Sequence, residues 1–283
     1  MPIDPAVIGK ELAPKEFYYT AKDVMLYALG VGAGIEEDEL KFVYENGMEV
    51  LPTFGVVPAY SATMGIGSTK GLDINYAMLL HGEQYLEIRR YPVPVQGRLT
   101  SRPVISNVFD KVKGALMEVE VDSVDESGDV VFFNRFGSFI RGEGGFGGER
   151  GPESGNEPPH RDPDKIVEMK TIPQQAMIYR LSGNDINPLH IDPGFAALAG
   201  FEKPILQGMC TFGFVGRAVI REYCDNDPKK FRAIKARFRS HVFPGETIVA
   251  EMWRESDEKV IVRARTAERG EYCLTNSAVW LNA

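Results

Sequence analysis

The sequence holds little that binds metals or forms disulfides. Its three cysteines, Cys210, Cys224 and Cys273, are odd in number and widely spaced. That predicts reduced thiols in a cytoplasmic protein rather than a disulfide frame or a zinc site. No run of eighteen apolar residues occurs, so no membrane-spanning helix is expected. The opening residues MPIDPAVIGKELAPKEF lack an apolar core and carry acids early, unlike a signal or transit peptide. The closing VWLNA is not a peroxisomal address of the Ser-Lys-Leu type. Cations are also short. Lys and Arg number 32 against 40 Asp and Glu, a net charge of −8, and a nucleic-acid partner is not expected.

What remains is a globular composition, 43% hydrophobic and 25% charged over 283 residues, enough for one large domain or two ordinary ones. Residues 20–31, TAKDVMLYALGV, predict a helix. Thr20 and Asp23 stand at capping-box spacing, and Val24, Tyr27 and Ala28 share a face. Gly30, Gly32 and Gly34 stop it. The apolar stretch after Leu51-Pro52, FGVVPAYSATMGIG, is a less regular helix because of Pro58 and three glycines. From residue 83 the period becomes two, with strands near 83–91, 97–107, 115–124 and 129–140. In ALMEVEVDSV, Leu116, Val119 and Val121 carry the apolar signal, and the turn Asp125–Asp129 closes a hairpin.

Residues 142–170 break the pattern with glycine, proline and charge and predict a crossing segment. Their GGFGG is not followed by Gly-Lys-Ser/Thr, so it is no phosphate loop, and such glycines usually serve turns or close packing. The order then repeats. Residues 171–181 are amphipathic and helical. Residues 208–223 form a second helix with Met209, Phe212, Val215 and Val219 in a buried stripe. Strands follow near 233–242, 246–255, 259–267 and 272–282. Leu51-Pro52 and Pro204-Ile205 lie about 150 residues apart, as do Tyr27 and Tyr179. That spacing predicts an internal duplication in an α+β layout, each half wrapping an antiparallel sheet around a helix. The expected division is 1–141, a crossing segment 142–170, and 171–283.

The halves differ in one place. The second carries Ser182-Gly183-Asn184-Asp185-Ile186-Asn187-Pro188-Leu189-His190, where the first has only Leu29–Gly34. Asn187 precedes proline and is pushed out of the helical region, so Asp185 and His190 straddle a turn and can converge. A carboxylate and an imidazole together can hold and polarise one water, one taking a proton while the other gives one. The same letters also suit a plain turn with a satisfied, half-buried histidine. A metal site of Asp185, His190 and Asp192 lacks a third strong ligand. Asp192 and Pro193 suit a helix start. Gly208 opens the second helix, where a free N–H and the helix dipole favour an anion or a thioester carbonyl oxygen. Gly208, Gly213 and Gly216 also suit tight packing. Lys235, Arg237 and Arg239 form a basic strand face that fits phosphates or plain solvent. Ser182 has no base at nucleophile spacing, and Cys210 sits on an apolar helix.

Across YRLSGNDINPLHIDP and KPILQGMCTFG the chain resembles the MaoC-like, hydratase 2 family of (R)-specific 2-enoyl-CoA hydratases. LYALGVGAG at 26–34, LLHGEQYLEI at 79–88, GEGGFGG at 142–148 and HVFPGET at 241–247 extend the likeness over nearly the whole chain. The resemblance implies a double hot-dog fold whose first half has lost the catalytic turn and makes room for the acyl chain. It implies Asp185 and His190 as the dyad, Asn187 as its orienting residue, and the Gly208 amide on the thioester oxygen. It implies syn hydration of a trans-2-enoyl-CoA to the (3R)-hydroxyacyl-CoA, on fatty or steroid side chains. No metal or redox cofactor is implied, CoA being part of the substrate, with Lys235 and Arg237 as candidates for its phosphates and a homodimer as the assembly. An acyl-thioesterase, an acyl-carrier-protein dehydratase and a non-catalytic acyl-CoA binding protein are the alternatives. Two departures stand out: Asn184 is an extra residue before Asp185, and Gln207 stands where the family commonly has histidine.

Overall fold

The structure is a computed structural model and describes residues 3–64, 66, 69, 72 and 78–282. The first half runs β1 (Lys15–Tyr19), α1 (Ala21–Gly30), α2 (Val56–Thr63), β2 (Leu79–Ile88), β3 (Gly97–Asp110), β4 (Gly114–Val124) and β5 (Val130–Arg141). The second runs β6 (Lys165–Lys170), α3 (Gln175–Ser182), α4 (Pro193–Leu198), α5 (Gly208–Tyr223), β7 (Phe231–Phe238), β8 (Thr247–Ser256), β9 (Lys259–Thr266) and β10 (Tyr272–Leu281). The strands form one ten-stranded sheet in the order β1-β3-β4-β5-β2-β7-β10-β9-β8-β6. That order reads the same from both ends once each strand is exchanged for its counterpart, as a duplication requires. The seam is the antiparallel pair of β2 and β7, with Leu86 opposite Ile234 and Gln84 opposite Ala236.

The repeat therefore holds five strands per half rather than the expected four, with β1 and β6 at the two edges. Both are short and largely exposed. The 142–170 segment crosses without regular structure as far as residue 164, and its end, Lys165–Lys170, pairs with β8. On β4 the buried face is Ala115, Met117, Val119 and Val121, while Leu116 falls on the opposite, half-buried face. The alternation was real but shifted by one residue at its start.

Helix α1 begins with the expected capping box, Asp23 accepting from the Thr20 N–H at 2.8 Å. It packs on α3, bringing the rings of Tyr27 and Tyr179 to 6.1 Å. A side chain on Gly30 would place Cβ 2.3 Å from Ser182 Oγ, so the close approach of the two helices needs glycine there. Pro58 is tolerated because it lies in the first turn of α2, where no intrahelical N–H is required. Of the three glycines in this stretch, Gly65 and Gly67 lie outside the described residues.

Helix α5 is buried from Met209 through Ile220. One core joins Tyr27, Phe54 and Phe132 of the first half to Phe212, Phe231 and Leu274 of the second. Each such side chain contributes about 1.5–3 kcal/mol, so the halves share their stability. The GGFGG loop wraps the Asp110 carboxylate, which accepts from Gly145 and Gly147 N–H at 2.8 Å each. Those amides are already satisfied by an internal anion, which accounts for the glycines without a phosphate ligand.

Candidate active site

The turn between α3 and α5 is built by local hydrogen bonds. α3 ends at Gly183, where a Cβ would press into the Tyr179 ring at 2.5 Å. Asn184, the extra residue, takes φ +54°, the left-handed region that asparagine enters more readily than most side chains. The insertion is absorbed in that one residue. Asp185 Oδ1 then accepts from the Asn187 N–H at 3.1 Å. Asn187 Oδ1 accepts from the Leu189 N–H at 3.0 Å, capping the short 3-10 turn Pro188–His190. One residue thus ties the carboxylate to the turn that carries the imidazole.

Asp185 and His190 are 7% and 9% exposed, and Asp185 Oδ2 lies 3.6 Å from His190 Nε2. His190 Nδ1 is 2.9 Å from the Ile205 carbonyl. A carbonyl only accepts, so Nδ1 carries hydrogen and Nε2 is the atom free to exchange a proton. A void of about 10 Å³ adjoins Asp185, lined by Val56, Tyr60, Tyr179, Gly183 and Met209, the space of roughly one water. A larger groove of about 210 Å³ is lined by Met48, Pro52, Tyr91, Pro94 and Lys229 among others, and none of its residues belongs to the turn of Asp185 and His190. Asp192 is occupied elsewhere, capping α4 through the N–H groups of Gly194 and Phe195.

Gly208 is the first residue of α5 and is exposed although the helix behind it is buried. No side chain caps this helix, so among the described residues the Gly208 N–H has no acceptor. A Cβ here would sit 3.0 Å from the Phe238 ring. Gln207 is fully buried and gives Nε2 to the Ala176 carbonyl of α3 at 3.0 Å. In place of a histidine it ties the start of α5 to the helix that leads into the turn of Asp185 and His190.

Lys235 and Arg237 do not join this group. On β7 they alternate with Ala236 and Phe238, so they point to the face opposite the ring that covers Gly208. Glu83 pairs with both, at 3.2 Å and 3.9 Å, and Arg237 also bonds Ser154 of the crossing segment.

Two residues of the first half reach the site and were not singled out in the sequence. Tyr60 on α2 donates its hydroxyl to Asp185 Oδ1 at 3.2 Å. His81 on β2 lies 4.9 Å from the Phe238 ring and 3.1 Å from Gln84 Oε1. Burial, opposed by the Gln84 bond and by Asp185, holds its pKa down at about 4, so the ring is neutral. LLHGEQ reads as an ordinary strand, and nothing local in it points to Phe238.

A sheet wrapped twice around a helix, with an acid and an imidazole facing one another beside an open helix N-terminus, defines a hot-dog protein equipped for proton transfer next to a carbonyl. The comparisons agree. Residues 17–142 match the model of the MFE-2 hydratase 2 N-terminal domain and residues 154–275 that of the MaoC like domain. The chain belongs to the MaoC-like, hydratase 2 family. It is 44% identical over 280 residues to a probable enoyl-CoA hydratase 2 of Dictyostelium discoideum, covering 95% of this chain and 93% of that protein. It is 42% identical to the peroxisomal multifunctional enzyme type 2 of Mus musculus, covering 96% of this chain and 38% of that longer protein. The crystal structure of a MaoC-like dehydratase from Phytophthora capsici superposes with a TM-score of 0.88 at 35% identity, over 100% of this chain and 98% of that one.

Proposed function

We propose that this chain adds water reversibly to a trans-2-enoyl-CoA, giving the (3R)-hydroxyacyl-CoA. The observation that carries the reading is Asp185 Oδ2 facing His190 Nε2 at 3.6 Å, with an open helix N-terminus at Gly208 in the same repeat. Family membership and the enoyl-CoA hydratase 2 relatives support it.

The bonds around Asp185 support a division of roles. Its Oδ1 accepts two hydrogen bonds, from Tyr60 and the Asn187 amide, which leaves Oδ2 to face His190. In the proposed cycle Asp185 starts as the base and His190 Nε2 starts with the proton to be given. Water held between them gives a proton to Asp185 Oδ2 as its oxygen bonds to the β-carbon. The pair of electrons moves toward the thioester oxygen, which the Gly208 N–H and the positive end of α5 stabilise. His190 Nε2–H then protonates the α-carbon, and transfer of the proton from Asp185 to His190 restores the pair. Water taken and proton given on one face make the addition syn. No metal enters these steps.

The test is direct. Purified protein with crotonyl-CoA and longer enoyl-CoA esters should bleach the conjugated thioester absorbance and yield the 3R product by chiral analysis, with undiminished rate in excess chelator. Release of free thiol instead would make it a thioesterase. Binding without bleaching would make it a carrier. A panel of straight, branched and steroid side-chain esters ranks the acyl group.

The proposal extends to a homodimer, supported by apolar side chains left exposed around the site, Leu181 at 70% and Leu198 at 89%. Light scattering should give the mass of two chains, and a single-chain mass at micromolar concentration would reject it. The compartment proposed is the cytoplasm, in keeping with three free, buried cysteines. The mouse relative is peroxisomal by name, and cell fractionation decides between the two.

A further inference from the structure

We infer that Tyr60 is a positioning residue for the catalytic carboxylate, so that the repeat without the catalytic turn still supplies part of the catalytic machinery. This rests on the assignment of Asp185 as the base. The hydroxyl lies 3.2 Å from Asp185 Oδ1, and no other partner of that hydroxyl is found among the described residues. The bond spans 125 positions of sequence and joins α2 of one repeat to the turn of the other.

The arrangement divides the carboxylate in two. Oδ1 is held from two sides, by Tyr60 and by the Asn187 N–H. Oδ2 is left for His190 and the water. With Oδ1 pinned at two points the carboxyl plane cannot turn, and Oδ2 stays aimed at Nε2. Removing one pin frees the carboxyl to rotate and Oδ2 to turn away from Nε2. Tyr60 is suited to the task because its hydroxyl stays protonated: burial first, then the Asp185 charge, raise its pKa far above the ordinary tyrosine value.

The other groups around Asp185 do not substitute for it. Tyr179 on α3 is also held protonated, chiefly by burial, but its hydroxyl makes no bond to the carboxylate. His81 on β2 is neutral and bonded to Gln84. His190 and Asn187 belong to the turn itself. The bland alternative is that Tyr60 only packs, its ring lying 6.4 Å from that of Phe136.

Tyr60→Phe keeps the ring and removes the donor, so it separates the two roles. In the full-length chain, kcat is expected to fall on the order of 10-fold with KM changed less than about 2-fold. A tyrosine that only packs would leave kcat of Tyr60→Phe at the wild-type value. The melting temperature should stay within about 3 °C of wild type. The Asp185 carboxyl carbon resonance, assigned by its loss in Asp185→Asn, should move in Tyr60→Phe at fixed pH without any substrate, because one of its two hydrogen-bond donors is gone. An unmoved Asp185 carboxyl resonance overturns the inference, and so does a wild-type kcat in Tyr60→Phe or lost turnover that comes with a lowered melting temperature. Failure of the wild-type protein to hydrate enoyl-CoA overturns the functional reading instead, and leaves the Asp185 carboxyl resonance to decide on Tyr60.

Discussion

Asp185→Asn should lower kcat for enoyl-CoA hydration by roughly 10²- to 10⁴-fold, the range of a lost acid–base group, while the protein folds and binds as before. The substitution is informative because of how the carboxylate is held. An asparagine keeps an acceptor at Oδ1 for Tyr60 and for the Asn187 N–H, so the turn is retained. Only Oδ2 changes, from a base to an amide that cannot take the proton of water. Alanine would also strand the Tyr60 hydroxyl, a cost of about 1–3 kcal/mol that confuses stability with chemistry. For the imidazole, His190→Asn places an N–H near the Nδ1 position to reach the Ile205 carbonyl and removes Nε2 altogether. The two groups serve one water, so the double variant should be about as slow as the slower single one rather than the product of both. Substrate affinity should change little, since the Gly208 amide is untouched. Near-normal turnover in either single variant, with the native melting temperature, would remove the dyad from the mechanism.

The parts of this molecule that were legible in the sequence are those whose physics is local. Helix α5 occupies 208–223 as the sequence predicts, because the stripe of Met209, Phe212, Val215 and Val219 repeats at helical spacing after the opening glycine. Asp185, Asn187 and His190 are legible for a similar reason. Proline after Asn187 forces a turn, and within so few residues an acid and an imidazole must stay close. The duplication was visible as a spacing, and the sheet order shows it as a symmetry. Edge strands β1 and β6 were missed. Each is short, paired on one side only and largely exposed, so neither carries the burial pattern that marks a strand.

Tyr60 was missed for a different reason. Nothing near it in sequence says that α2 of one repeat will stand against the catalytic turn of the other, and a tyrosine in an apolar stretch reads as core. Convergence across a pseudo-symmetric seam is a tertiary fact. The basic face of β7 is the converse case. Lys235 and Arg237 looked open in the sequence, but the neighbouring strand β2 brings Glu83 alongside them. A charge on a strand is free only if the strand beside it leaves it so, and pairing is not encoded in the strand's own letters.

Glu39→Gln should destabilise the protein by about 3 kcal/mol, a fall in melting temperature of the order of 10 °C for a chain this size, with little direct effect on chemistry. Arg217 lies on buried α5, its Nε 3.3 Å from Glu39 Oε1, with side-chain exposures of only 7% and 2%. The guanidinium also rests against the Phe214 ring, 5.3 Å from its centroid. Burial pulls the Arg217 pKa below its ordinary value, and Glu39 opposes that shift. One nitrogen, Nη1, already lacks a partner among the described residues. The pair is therefore an expensive way to join α5 to the segment after α1, and its worth lies in not being broken. Glutamine keeps an acceptor for the Gly34 N–H, which now bonds Glu39 Oε2 at 3.1 Å, so the loss isolates the charge. Replacing both partners, Glu39→Gln with Arg217→Met, removes both desolvated charges together while keeping the acceptor for the Gly34 N–H, and should return stability to within about 2 kcal/mol of wild type. Thermal and denaturant unfolding of the two single variants and the double one checks this. If the double variant is as unstable as the sum of the singles, the ion pair is not what holds Arg217 in the core, and packing of its aliphatic stem against Phe214 must account for the loss instead.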